Sequence, residues 1–131
     1  MFDSKKNKKL SSSSLDSMPI TTVLGADVVF TGNIEGDSII RIDGKIAGNV
    51  SLKQGVILGE KASVTGDILS EIIVIYGTIT GNITCKELII RKSGTVNGDI
   101  KTEIVEIEMG GQYNGKLSMT KAVAVAENTL S

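Results

Sequence analysis

The chain has 131 residues, enough for one domain and too few for two ordinary ones. Its 14 basic and 15 acidic side chains leave a net charge of -1, so no global field recruits nucleic acid. There is no histidine, which removes the most versatile general base and the commonest metal ligand, and the single cysteine, Cys85, cannot close an internal disulfide, as suits a reducing cytoplasm.

Taken in chain order, residues 1–20 read as a flexible, basic and serine-rich tail. Lys5, Lys6, Lys8 and Lys9 stand against Asp3 and Asp16, and a serine run rather than an apolar stretch follows the lysines. That order does not make a signal peptide, and no apolar segment approaches the roughly 18 residues that span a bilayer. Residues 21–119 have another character. Aromatic content over the whole chain is only 3%, Gly occurs 15 times and Pro once, as Pro19. A core of Ile, Val and Leu punctuated by Gly points to strands and tight corners rather than helices.

A short unit, apolar-x-Gly-polar-aliphatic, recurs through this segment. It begins with Phe30-Thr31-Gly32-Asn33-Ile34, Ile46-Ala47-Gly48-Asn49-Val50 and Val64-Thr65-Gly66-Asp67-Ile68. Ile79-Thr80-Gly81-Asn82-Ile83, Val96-Asn97-Gly98-Asp99-Ile100 and Tyr113-Asn114-Gly115-Lys116-Leu117 complete it. Successive motif glycines are 16, 18, 15, 17 and 17 residues apart. A small residue precedes the apolar position by two in five units (Gly44, Ala62, Gly77, Gly94, Gly111), with Val28 in the first. Upstream of the unit, Ile40-Arg41-Ile42, Val56-Ile57-Leu58, Ile73-Val74-Ile75, Leu88-Ile89-Ile90 and Val105-Glu106-Ile107 predict a second strand with period 2. Four residues after the motif glycine stand Gly36, Leu52, Ser70, Cys85, Thr102 and Met119. The residues alternating with these columns are mostly polar, so each strand is expected to bury one face. Residues 120–131 read as a flexible C-terminal tail.

A unit of about 17 residues cannot cover its own apolar face and buries it only by stacking on its neighbours. The predicted fold is therefore all-β, a parallel β-helix (β-solenoid) of six short turns, triangular in section with about three strands per turn. At roughly 4.8 Å between strands, such a rod stands about 29 Å tall. Left-handed hexapeptide coils keep a strict six-residue marker on every face, whereas these turns drift between 15 and 18 residues. The nine-residue glycine-rich repeat of calcium-binding coils is absent. A right-handed coil is the expectation.

Ile42-Asp43-Gly44-Lys45-Ile46-Ala47-Gly48-Asn49-Val50, the later Gly-Asp/Asn-Ile repeats and the closing Gly110-Gly111-Gln112-Tyr113-Asn114-Gly115 resemble the bactofilins over roughly residues 22–119. That resemblance implies a right-handed triangular β-helix between disordered tails. It also implies assembly without nucleotide into nonpolar filaments, often on the inner membrane face, where they position cell-wall enzymes. The basic start is similar to the membrane-targeting leader of many bactofilins. Where the family typically carries phenylalanine in the last unit, this chain has Tyr113.

Both predicted ends of the rod lack a capping helix, and Phe30 and Tyr113 place large side chains in the outermost turns of a column otherwise made of Ile and Val. The expected polymer interface is Val28 and Phe30 at one end with Tyr113, Leu117 and Met119 at the other. The expected membrane-binding residues are Met1, Phe2, Lys5, Lys6, Lys8 and Lys9, whose lysines suit anionic lipid of the inner face of the cell membrane. Phe at position 2 excludes myristoylation. The Asn33, Asn49, Asp67, Asn82 and Asp99 column reads as stacked turn residues rather than a metal array, and Cys85 as a small buried residue. Residues 21–118 carry nine basic and twelve acidic side chains, a net -3 that argues against nucleic acid.

The implied protein is no enzyme and needs no cofactor, metal or nucleotide. It is a cytoplasmic scaffold at the membrane whose partner is first of all itself, with membrane lipids, cell-wall enzymes or membrane proteins beyond that. A β-helical acyltransferase is disfavoured, since such enzymes typically use a catalytic histidine and an extended loop, and this chain has neither. A non-polymerising adaptor that binds a cell-wall enzyme or membrane protein along the rod is the alternative.

Overall fold

A computed structural model describes residues 22–119. The expected tails therefore lie outside the described residues. Sixteen short strands wind as a β-solenoid of six turns, and every pairing between turns is parallel.

Three stacks of strands form the sides. The first holds β1 (Thr22–Leu24), β4 (Ile39–Ile42), residues 55–58 of β6 (Val50–Leu58), residues 72–75 of β8 (Ile68–Ile75), β11 (Glu87–Ile90) and β14 (Ile104–Ile107). The second holds β2 (Val29–Thr31), β5 (Lys45–Ala47), β7 (Ser63–Thr65), β9 (Thr78–Thr80), β12 (Thr95–Asn97) and β15 (Gln112–Asn114). The third holds β3 (Ile34–Gly36), the starts of β6 and β8, β10 (Ile83–Thr84), β13 (Ile100–Thr102) and β16 (Leu117–Met119). β6 and β8 run through the corner between the third and first sides without a break, at a register irregularity between Leu52 and Gly55.

The register puts like on like. Phe30, Ile46, Val64, Ile79, Val96 and Tyr113 form one inward ladder, and Ile34, Val50, Ile68, Ile83, Ile100 and Leu117 another. The first side sends in Ile42, Leu58, Ile75 and Ile90, all fully buried. Each such aliphatic side chain contributes about 1.5–3 kcal/mol relative to exposure. β-branched residues dominate because they fit a pleated surface packed from above and below.

The motif glycines make this stacking possible. They hold positive φ (152° at Gly48, 146° at Gly66, 150° at Gly81), a backbone that L side chains rarely adopt. A Cβ on Gly66 would also collide with the carbonyl oxygen of Gly48 one turn away, and the same clash repeats from Gly48 to Gly115. The residue after each glycine completes the corner. Asn49 N–H donates to Asn33 Oδ1 (3.1 Å), Asp67 N–H to Asn49 Oδ1 (3.0 Å), Asn82 N–H to Asp67 Oδ1 (3.0 Å) and Asp99 N–H to Asn82 Oδ1 (3.2 Å). These side chains accept from the next turn's backbone, a ladder that joins turns rather than closing a turn within one.

On the second and third sides the alternate residues are mostly polar, as expected. The first side departs from that pattern. Ile57, Val74 and Ile89 alternate with inward residues and so project outward, yet they form a separate buried cluster with Ile39. Runs of three aliphatics do not reveal a period, and the expectation of one buried face was wrong here.

Gly66→Ala should lower stability by about 3 kcal/mol or more, combining the strained φ with the collision. Gly25→Ala, whose added Cβ meets nothing nearer than 3.7 Å, should leave it within about 0.5 kcal/mol. Thermal unfolding followed by circular dichroism compares the two, and equal midpoints would contradict the stacking argument.

Candidate functional site

The two ends of the coil are where its repeating chemistry stops unsatisfied. In the middle, each strand pairs with one above and one below. Among the described residues, β1, β2 and β3 at the N-terminal end pair on one side only, with β4, β5 and β6. At the other end, again among the described residues, β14, β15 and β16 pair only with β11, β12 and β13. Both ends therefore present open strand edges around a cut cross-section of the core.

The structure places every expected interface residue at these ends. Phe30 and Tyr113 occupy the first and last rungs of one inward ladder and are half-buried against the core. Val28 is exposed beside Phe30, while Leu117 and Met119 are exposed beside Tyr113. The ends also contain residues that the sequence reading left out. Leu24 and Ile34 complete the N-terminal surface, and Val105 and Ile107 the C-terminal one. All four lie in inward columns visible in the repeat, so carrying each column to its last rung was enough to find them. Met1, Phe2, Lys5, Lys6, Lys8 and Lys9 lie outside the described residues.

Between the ends the interior offers little chemistry. Cys85 is buried, and its Sγ donates to Thr102 Oγ1 at 3.4 Å. The single hydroxyl proton of Thr102 is shared between the backbone carbonyl oxygens of Lys86 and Ile104 (3.1 and 3.0 Å). Burial pushes the Cys85 thiol up from 9.0 to about 11, against the lowering hydrogen bond from Thr102 and with a smaller push from Glu87. A thiol so held is a packing residue. Among the described residues no group of three or more His, Cys, Asp or Glu side chains could hold a metal ion. No helix among them is long and apolar enough to cross a membrane.

The family model of the bactofilins, described as polymer-forming cytoskeletal, matches residues 22–118, the whole of this coil. The chain belongs to the bactofilin family. It is thus a polymer-forming cytoskeletal protein of a structural, non-enzymatic family. Bactofilin BacO of Myxococcus xanthus is 33% identical over 99 residues, covering 75% of this chain and 79% of that protein. Bactofilin BacP of the same organism is 27% identical over 99 residues, which span 75% of this chain but 41% of BacP. Among solved structures, a cryo-electron microscopy reconstruction of Thermus thermophilus bactofilin superposes with a TM-score of 0.69 at 21% identity, covering 76% of this chain and all of that one. A crystal structure of a point mutant of the Thermus thermophilus protein gives 0.64 at 23% identity, covering 66% and 97%. At these identities the two structures speak to the fold.

Two expectations follow from the buried polar groups of this bactofilin. Among the described residues the Tyr113 hydroxyl, on a half-buried ring, has no well-formed hydrogen-bond partner, its polar contact being a weak one with the Ile100 backbone. Tyr113→Phe should therefore raise stability by about 1 kcal/mol, whereas a loss of that size in thermal unfolding would reveal a partner for the oxygen. Cys85 has its folded pKa above the unfolded value, so its contribution to stability is complete below pH 9.0 and is lost as pH rises toward about 11. At pH 9 iodoacetamide should alkylate it about tenfold or more slowly in the native protein than in urea, because only the thiolate reacts. Equal rates would place the thiol in solvent.

Proposed function

We propose that this bactofilin polymerises end to end through like surfaces, without nucleotide, giving a filament with no overall polarity. The observation that carries the reading is the pair of ends, each with three strand edges unpaired among the described residues around an apolar cross-section. The sides carry no comparable backbone edge, because every inner strand is paired both above and below. The Thermus thermophilus relative forms double helical filaments, which supports assembly of the shared coil.

In the proposed contact Phe30 meets its copy at one junction, flanked by Val28, and Tyr113 meets its copy at the other, flanked by Leu117 and Met119. Two isologous junctions related by two-fold axes cancel direction along the polymer. Tyr113→Arg buries an unpaired charge at one junction, a cost of several kcal/mol, and leaves the other intact. Growth should then stop at dimers joined through Phe30. Negative-stain electron microscopy and analytical ultracentrifugation without nucleotide test this: long filaments from the variant would sink the like-to-like model. Monodisperse single coils from the wild-type chain, across salt and concentration, would favour an adaptor that binds a cell-envelope protein along its sides.

The same reading sets the filament on the inner face of the cell membrane. Phe2 enters the interface, and Lys5, Lys6, Lys8 and Lys9 add roughly 1 kcal/mol each against anionic lipid. One such leader binds weakly, but a filament presents many, and avidity makes the attachment firm. Such a polymer positions cell-wall enzymes or membrane proteins as a scaffold. Replacing the four lysines with glutamine should abolish co-sedimentation with phosphatidylserine-containing vesicles while leaving filaments unchanged. Undiminished binding would remove the leader from the membrane role.

A further inference from the structure

The three sides of the coil differ in what they show to solvent. On the first, Ile57, Val74 and Ile89 are already enclosed. The third carries Glu35 and Lys101 among its outward residues and runs beside Asp67, Asp99 and Lys116 at its corner. The second is open, regular and nearly free of charge. Its outward residues stack in two columns, with Ser63, Thr78 and Thr95 in one and Thr65, Thr80 and Asn97 in the other. All six are exposed or half-buried, so the face is open to solvent. Among the described residues of this side, Lys45, one turn before Ser63, is the one charged side chain that points outward. We propose that the second side is the surface through which two filaments of this chain lie side by side.

Period favours a second copy as the occupant. The hydroxyls and methyls recur at every turn, roughly 4.8 Å apart, and another coil of this chain carries them at the same spacing. Contacts between two such sides stay in step along the whole rod, as they do between stacked sheets of identical chains. Charge favours it too. A two-fold axis at the centre of the contact sets Lys45 against Ala47 of the other copy where the rods run parallel, and against Thr95 where they run antiparallel. Neither arrangement sets it against itself, and in both Ser63, Thr65, Thr78 and Thr80 meet one another. Threonine is stiff at χ1, so ordering these side chains costs little, and a neutral hydroxyl that finds a partner is far cheaper to bury than a charge. Asn114 Nδ2 already donates to Asn97 Oδ1 at 3.0 Å, joining two turns along the outer face.

Area decides when the contact forms. Six turns of three-residue strands offer roughly 29 Å by 10 Å, about 300 Å² per coil, against the roughly 800 Å² per partner of a stable interface. Two lone coils therefore stay apart in solution. A filament repeats the contact at every subunit, and avidity then holds two filaments together. Side-by-side pairing thus rests on the end-to-end reading above and follows polymerisation rather than preceding it.

Adding the same charge to different sides of the full-length chain tests this. The double variant Thr65→Lys, Thr95→Lys places two lysines on the second side, and Ser51→Lys, Thr84→Lys places two on the outward column of the third. Cryo-electron microscopy should show paired filaments for the wild type and the third-side variant, and single filaments one coil wide for the second-side variant. Paired filaments from the second-side variant, or single ones from either of the others, would overturn the proposal. A milder substitution covers the case in which the lysines unfold the coil. A short bismaleimide should link filaments of Thr80→Cys into covalent dimers severalfold more than filaments of Thr84→Cys, with the buried Cys85 common to both. Equal yields, or no dimers, would overturn the contact. Absence of filaments from the wild type would remove end-to-end assembly and the pairing with it, whereas single filaments remove the pairing alone.

Discussion

The coil depends on how closely consecutive turns approach at one corner. From Gly48 through Gly66, Gly81 and Gly98 to Gly115, backbone lies against the backbone of the preceding turn's glycine, with no room for a Cβ between them. The positive φ of these residues redirects the chain from the second side into the third. The following Asn or Asp converts that corner into a ladder, because its side-chain oxygen accepts from the backbone of the neighbouring turn. Parallel register, stacked aliphatic columns and a dry interior follow once every turn closes at the same height. Turn lengths from 15 to 18 residues are tolerated because the irregularity is absorbed elsewhere, as between Leu52 and Gly55.

A structure held together by stacking has no internal reason to stop. Each turn satisfies its neighbour and is satisfied by it, so the first and last turns inherit unfilled hydrogen bonds and half-covered columns. In the proposed assembly, the same interaction that stabilises the middle of the rod makes its ends adhesive. Phe30 and Tyr113 enlarge the apolar surface at those two rungs. On the proposed end-to-end reading, polymer formation is a continuation of the fold across a subunit boundary. That reading invokes neither a nucleotide pocket nor a catalytic group, and the family is a structural one.

The sides divide the remaining roles. The second and third sides present mostly polar alternate residues. The first side has a strip whose aliphatics are enclosed on the outer surface.

Much of this was legible in the residues. Six Gly-polar-aliphatic units in order dictate stacked turns, because a 17-residue unit with one apolar face has nowhere else to bury it. Phe30 and Tyr113 could be placed at the ends from position in the repeat, and Leu24, Ile34, Val105 and Ile107 obeyed the same logic. Two things belong to the tertiary structure alone. One is the partner of each Asn and Asp side chain, since local turn chemistry and the inter-turn ladder use the same residues and differ only in which backbone N–H arrives. The other is the outward strip, because Val56-Ile57-Leu58, Ile73-Val74-Ile75 and Leu88-Ile89-Ile90 are apolar at every position and show no period. The sequence by itself determined that turns stack and where they end. Only the register between turns decided that Ile57, Val74 and Ile89 align on the outside, since a column exists only after neighbouring turns have come into contact.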